Sequence, residues 1–216
     1  MGRLTAVAIL LAASVICPVP CTAAELTTRL LSLGVRRTDD AVPLLVLAAG
    51  SVGTFPTAGH AFGPGRMHSY YPLFVLAVQV PAAAGGEEAL LRIIDRLEVS
   101  HRVDPRRIYL AGAAAGADLV WRLIANAPDR FAAAVPVGGT GDPDETSGYA
   151  SVPLWAFHDV HDARVTVDAA RGLAGSIWAA GGLLRYTEYR DDDPDPWVAV
   201  RREERLLPWL FSQVRE

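Results

Sequence analysis

Seven strand-like runs recur along the chain, and most are apolar at nearly every position. They are Arg29–Val35, Pro43–Ala49, Leu73–Val80, Arg107–Ala111, Ala133–Val137, Pro153–Phe157 and Leu184–Tyr189. A strand solvated on one face alternates apolar and polar residues. A continuous apolar run demands burial on both faces, which is the condition of a parallel sheet covered by helices. Helical patterns separate the runs, at Gly86–His101, Gly116–Asn126, Val167–Ala180 and Glu203–Val214. In the first of these, Leu90, Leu91, Ile93, Ile94 and Leu97 make one stripe at helical spacing. This alternation predicts one α/β domain over residues 25–216: a single doubly wound, mostly parallel sheet flanked by helices, compact and without a large lid. Ligands bind beyond the C-terminal strand ends of such sheets. The loops at 50–69, 112–116, 138–148, 158–166 and 191–197 are therefore where a site is expected.

The residues before this domain read differently. Arg3 precedes the apolar run Leu4–Ile16, Pro18 and Pro20 break it, and Cys21-Thr22-Ala23-Ala24 offers small residues for cleavage. This is the pattern of a secretory signal peptide over residues 1–24, cut after Ala23 or Ala24. A run of about 13 residues is too short for a bilayer that needs roughly 20. The protein is thus expected to be secreted or periplasmic, with no membrane span after cleavage. Both cysteines, Cys17 and Cys21, lie in this segment, so the mature chain has no thiol for a disulfide, a nucleophile or a metal.

Charge removes further classes. All 20 basic residues are arginine against 24 acidic ones, a net charge of −4. An acidic balance argues against nucleic-acid binding. The absence of lysine excludes a Schiff base and a Walker A phosphate loop. The glycines at 138, 139 and 141 open no G-x-G-x-x-G helix start, and no cofactor is expected.

The run Val103–Ala111 leads into Gly112-Ala113-Ala114-Ala115-Gly116. Glycines two residues either side of a central position, between strand and helix, match the G-x-S-x-G nucleophile elbow. Here the central residue is Ala114. Around this frame the chain resembles the α/β-hydrolase superfamily, in its secreted esterase/peptidase branch of polyhydroxybutyrate-depolymerase-like and prolyl-oligopeptidase-like proteins. Val103-Asp104-Pro105-Arg106-Arg107-Ile108-Tyr109 precedes the elbow as in that branch, and Asp129–Gly139 with Gly141-Asp142-Pro143 follows it. Val152–His158, Gly181–Tyr189, Trp197 and Glu203–Gln213 continue the likeness, which spans roughly residues 40–214.

Carried over by that resemblance, the nucleophile position falls on Ala114, the acid on Asp162 and the histidine on Pro194. The oxyanion-hole donors fall on the backbone of Ala115 and of the Gly50–Ser51 turn. The family's histidine before the oxyanion loop falls on Ala49. Only the acid of the triad is retained. Alanine has no oxygen to attack a carbonyl, and proline has neither base nor proton donor. In a dissected serine protease, loss of the serine or histidine costs on the order of 10⁶ in kcat. The expectation is a catalytically silent homologue whose pocket still takes a small ester, carboxylate or peptide.

The alternative is an active hydrolase with a relocated nucleophile or a metal-bound water. Ser51, Thr54 and Thr140 lie on pocket-side loops, although hydroxyls are also what turns use for backbone bonds. His158 and His161, with Asp162 near them, are pocket candidates and the one conceivable metal set. Their spacing matches no defined metal motif, and an acidic loop stiffened by Pro194 and Pro196 is the simpler account of Asp191–Asp195. Trp121, Trp155, Trp178, Trp197 and Trp209 read as core residues, whereas Phe62, Tyr70 and Tyr71 read as lining a binding surface.

Overall fold

A computed structural model describes residues 26–35, 40–50, 62–70, 72–80, 86–190 and 195–216. The segment Met1–Ala24, Ser51, Thr54, Tyr71 and Pro194 lie outside these described residues. The strands are β1 Thr27–Leu33, β2 Val42–Ala49, β3 Leu73–Gln79, β4 Val103–Ala113, β5 Ala133–Val137, β6 Leu154–Asp159 and β7 Leu184–Tyr189. The helices are α1 Pro64–Met67, α2 Glu87–His101, α3 Ala115–Asn126, α4 Thr146–Ala150, α5 Val167–Ala179, α6 Trp197–Arg202 and α7 Leu206–Ser212. The strands form one sheet in the order β1-β3-β2-β4-β5-β6-β7. β1 runs antiparallel to β3, and every other pairing is parallel.

Side chains alternate across a strand, so each strand feeds two cores. Leu44, Val46, Leu76, Ile108, Leu110 and Leu154 face α2, α3 and α5, where Leu90, Ile94, Leu119, Val120 and Ile177 meet them. Leu45, Leu47, Val75, Tyr109, Val135 and Phe157 face the other way, onto Phe62, Met67, Trp197, Val200 and Leu210. This two-sided burial is why the strands read as continuous apolar runs. No helix among the described residues is long and apolar enough to cross a membrane.

Four expectations need correction. Phe62 is fully buried and meets Trp197 edge to face at 5.6 Å, so it belongs to the core and not to a binding surface. Tyr70 is half-buried and stacks on Phe211 at 4.7 Å. Trp178 is 51% exposed; its Nε1–H donates to the carbonyl of Leu184, and its ring meets Tyr186 edge to face at 6.5 Å. The expected last helix, Glu203–Val214, is two: α6 ends at Arg202, and α7 restarts at Leu206 with Pro208 in its first turn. That turn needs no N–H from proline, whereas a continuous helix would.

Candidate functional site

The chain leaves β2 for β3 on one side, then crosses β2 to β4 and continues outward to β7. The crevice beyond β2 and β4 is thus the switch point at which open α/β sheets bind ligands. Ala49 pairs with Ala113 there, so the turns at Gly50 and Ala114 open side by side.

Ala114 joins β4 to α3 with φ 51° and ψ −117°, and it is exposed. A residue with a Cβ in this region carries strain of about 1–3 kcal/mol. Packing on either side imposes it. A Cβ on Gly112 would stand 2.3 Å from the carbonyl oxygen of Gly116, and one on Gly116 would stand 2.1 Å from that of Ala48. The start of α3 therefore touches strand backbone directly, and one residue must turn the chain within that space. Two hydrogen bonds fix the turn: Ala114 N–H donates to Val137 O at 3.1 Å, and Asp118 N–H donates to Ala114 O at 3.2 Å. Ala114→Gly is expected to raise stability by about 1 kcal/mol, the strain relieved less the entropy glycine adds to the unfolded chain. In a chain of this size that is a Tm rise of roughly 2–4 °C by calorimetry. An unchanged or lower Tm would sink the strain assignment.

Ala115 opens α3, so its N–H has no acceptor inside the helix. A Cβ on Gly50 would lie 3.3 Å from that of Ala115, so the two turns expected to supply oxyanion donors are in contact. Asp162 is half-buried on the loop after β6. Its Oδ1 accepts the N–H groups of Arg164 at 2.8 Å and Val165 at 3.0 Å. Its Oδ2 lies 3.4 Å from where a Cβ on Gly138 would stand. Gly138 follows Val137, the residue that binds Ala114 N–H, so the acid position faces the strand end that holds the elbow.

Other predicted residues are not brought together. His158 is buried at 2% exposure with Nε2 3.0 Å from Val165 O, whereas His161 is exposed. Thr140 is exposed and its hydroxyl donates to Gly141 O at 3.1 Å. Among the described residues no group of three or more His, Cys, Asp or Glu side chains could hold a metal ion, so His158, His161 and Asp162 do not converge as a ligand set. Beyond Pro194, Asp195 Oδ1 accepts Trp197 N–H at 3.0 Å, and its Oδ2 takes Arg201 Nη1 at 2.8 Å.

Sequence reasoning missed Asp118 and Arg164. Asp118, one turn along α3 from Ala114, accepts Arg164 Nη1 at 2.7 Å and Thr140 N–H at 3.3 Å. One carboxylate thus ties the elbow helix to the β5 loop and to the acid loop. The signal was an acidic residue four after the elbow centre and an arginine two after the acid. These side chains line a cleft of about 480 Å³ with Trp121, Arg122, Asp142 and Tyr149. Burial pushes the Tyr149 phenol up to about 12, so it stays neutral while accepting Asp142 N–H at 2.9 Å.

No protein-family model matches the chain. A thermostable esterase of known structure superposes over 95% of the chain at TM-score 0.82 and 28% identity. The acylaminoacyl peptidase of Pyrococcus horikoshii superposes over 89% at TM-score 0.63 and 12% identity. The poly(3-hydroxyalkanoate) depolymerase C of Paucimonas lemoignei is 35% identical over 51 residues, 24% of this chain. The chain spans 12% of that depolymerase, 63% of the esterase and 40% of the peptidase.

Proposed function

We propose that this chain, an α/β-hydrolase-fold protein by its sheet and its esterase and peptidase neighbours, is an exported binding protein that no longer hydrolyses esters. One observation carries the reading: the elbow backbone is intact, and it presents a methyl group. In this reading Ala114 and Pro194 occupy the positions of the lost nucleophile and base, and Asp162 is the retained acid. Ala115 N–H, with the Gly50–Ser51 turn, offers donors to a carbonyl or carboxylate oxygen. The ligand class is a small ester, carboxylate or peptide; the 480 Å³ cleft lined by Asp118, Thr140 and Arg164 begins one turn along α3 from the elbow, and Ala114, Ala115, Gly50 and Asp162 do not line it. Export rests on the leader pattern at Met1–Ala24. Because fold does not fix function, the hydrolase relatives supply the scaffold and not the activity.

The test is hydrolysis of p-nitrophenyl acetate by the purified protein. Turnover is expected to match buffer, and saturation transfer NMR is expected to show short carboxylates binding. Turnover that persists in Ala114→Gly but disappears in His161→Ala would overturn the reading in favour of a relocated site.

A further inference from the structure

Helices cover the sheet unevenly on the α2 side. α2 packs on β4 and α3, while β1 lies at the sheet margin beyond β3. Between the flank of α2 and β1 runs a trough of about 600 Å³. Its floor is Leu30 and Leu76, cross-strand neighbours that both face the α2 side. Its wall is Ile93, Leu97 and Ser100, which recur on one side of α2 at helical spacing. From Ile93 to Ser100 the wall runs about 10 Å, at roughly 1.5 Å per residue. The floor strands are only about 5 Å apart, so the trough is longer than it is wide. Val99, 85% exposed, extends the apolar surface at the rim. No residue of the elbow, the Gly50 turn or the acid loop lines it.

The polar groups around the trough are mostly engaged within the chain. Asp95 accepts Arg130 Nη2 at 2.6 Å. Ser100 has one hydroxyl proton and donates it to Arg96 O at 2.7 Å. Its oxygen therefore accepts Nδ1–H of His101, also at 2.7 Å. The His101 ring meets Phe74 edge to face at 5.6 Å. Arg96 is not free either. The Thr28 hydroxyl takes no part in these bonds, and it can both donate and accept.

Size and charge select the occupant. A stable protein partner buries about 800 Å² on each side, some 20–30 residues. Ten of the described residues line this trough, and its volume falls within the roughly 300–1,000 Å³ of small-molecule sites. An anion laid in it would lose its water, while the nearby cations Arg96 and Arg130 already have partners. The last turn of α2 is also the negative end of the helix dipole, which disfavours an anion further. We propose that the trough is a second binding site, for an uncharged aliphatic molecule with one hydroxyl or carbonyl end, in the size class of a medium-chain alcohol. The chain lies along α2 over Leu30 and Leu76, and the polar end bonds Thr28. This site stands independently of the reading of the elbow.

Isothermal titration calorimetry of the full chain with n-octanol is expected to give saturable binding with a negative heat-capacity change, the mark of apolar burial. Octanoate, ionised, is expected to bind at least about tenfold more weakly, because its charge is desolvated without compensation. Thr28→Trp fills the trough and is expected to abolish octanol binding. Val99→Glu changes a side chain that is 85% exposed, so the fold does not depend on it. It sets a carboxylate at the rim and is expected to weaken octanol binding about tenfold. Amide chemical shifts locate the ligand: octanol is expected to move β1, β3 and the second half of α2, and to leave Gly50 and Ala115 in place. No saturable binding, octanoate as tight as octanol, full affinity in Thr28→Trp, or shifts centred on Ala115 overturns the inference.

Discussion

Ala114→Ser combined with Pro194→His is expected to raise p-nitrophenyl acetate hydrolysis at least about 10³-fold, while either single replacement stays near background. The asymmetry follows from how a triad works. Serine without a base is an alcohol whose proton nothing removes, and a base without a nucleophile activates only water. In a dissected protease, removing serine or histidine alone costs about as much as removing the whole triad, so restoring one alone recovers little. A 10³-fold gain is roughly 4 kcal/mol of barrier. The structure supplies what that gain needs at one end: an elbow held at φ 51°, and an acid fixed by two backbone N–H groups with its second oxygen toward Gly138. Initial rates of the four proteins, with circular dichroism confirming the fold, decide the matter. A flat double variant would show that position 194 does not bring an imidazole to the elbow.

Gly116→Ala is expected to destabilise the protein by about 3 kcal/mol or more, a Tm fall of roughly 6–12 °C for a chain of this length. Helix propensity alone argues the other way, since alanine in a helix is favoured over glycine by about 1 kcal/mol. Geometry decides the sign. The added carbon would stand 2.1 Å from Ala48 O and 2.9 Å from Ala49 N, both backbone atoms that cannot rotate away. Gly172→Ala and Gly175→Ala in α5 are the controls. Nothing lies within 4 Å of a Cβ at either, so each is expected to stabilise by a few tenths to about 1 kcal/mol. Thermal melts of the three variants separate contact from propensity. A neutral Gly116→Ala would refute the close approach of α3 to β2.

Much of the architecture was legible because burial on two faces leaves a strong trace. β5, buried at every position, begins and ends where its apolar run does; β7 also keeps its expected bounds, although it is only partly buried and carries Arg185 and Glu188. β4 begins at Val103, four residues before the expected start, because Pro105 reads as a strand breaker. The strand absorbs it where the register against β2 jumps from Val42–Val103 to Leu44–Ile108. The elbow was legible because its glycines answer to local geometry. The Asp118–Arg164 link was not, because its partners are 46 residues apart and meet only once α3 and the acid loop are placed. Trp178 misled for a related reason. A large aromatic on an amphipathic helix reads as core, but it sits against β7, the last strand of the sheet, and stays half exposed.

The backbone at Ala114 separates geometry from chemistry. Gly112 and Gly116 dictate the turn, and the residue between them is a passenger displayed at the mouth of the sheet. Position 114 is therefore a socket: cysteine, threonine or aspartate placed there would be presented at the same spot, because the conformation is enforced from outside the side chain. Drift at such a position changes the reagent and leaves the scaffold alone. On the proposed reading, a turn enforced in this way keeps the route between binder and enzyme short in either direction.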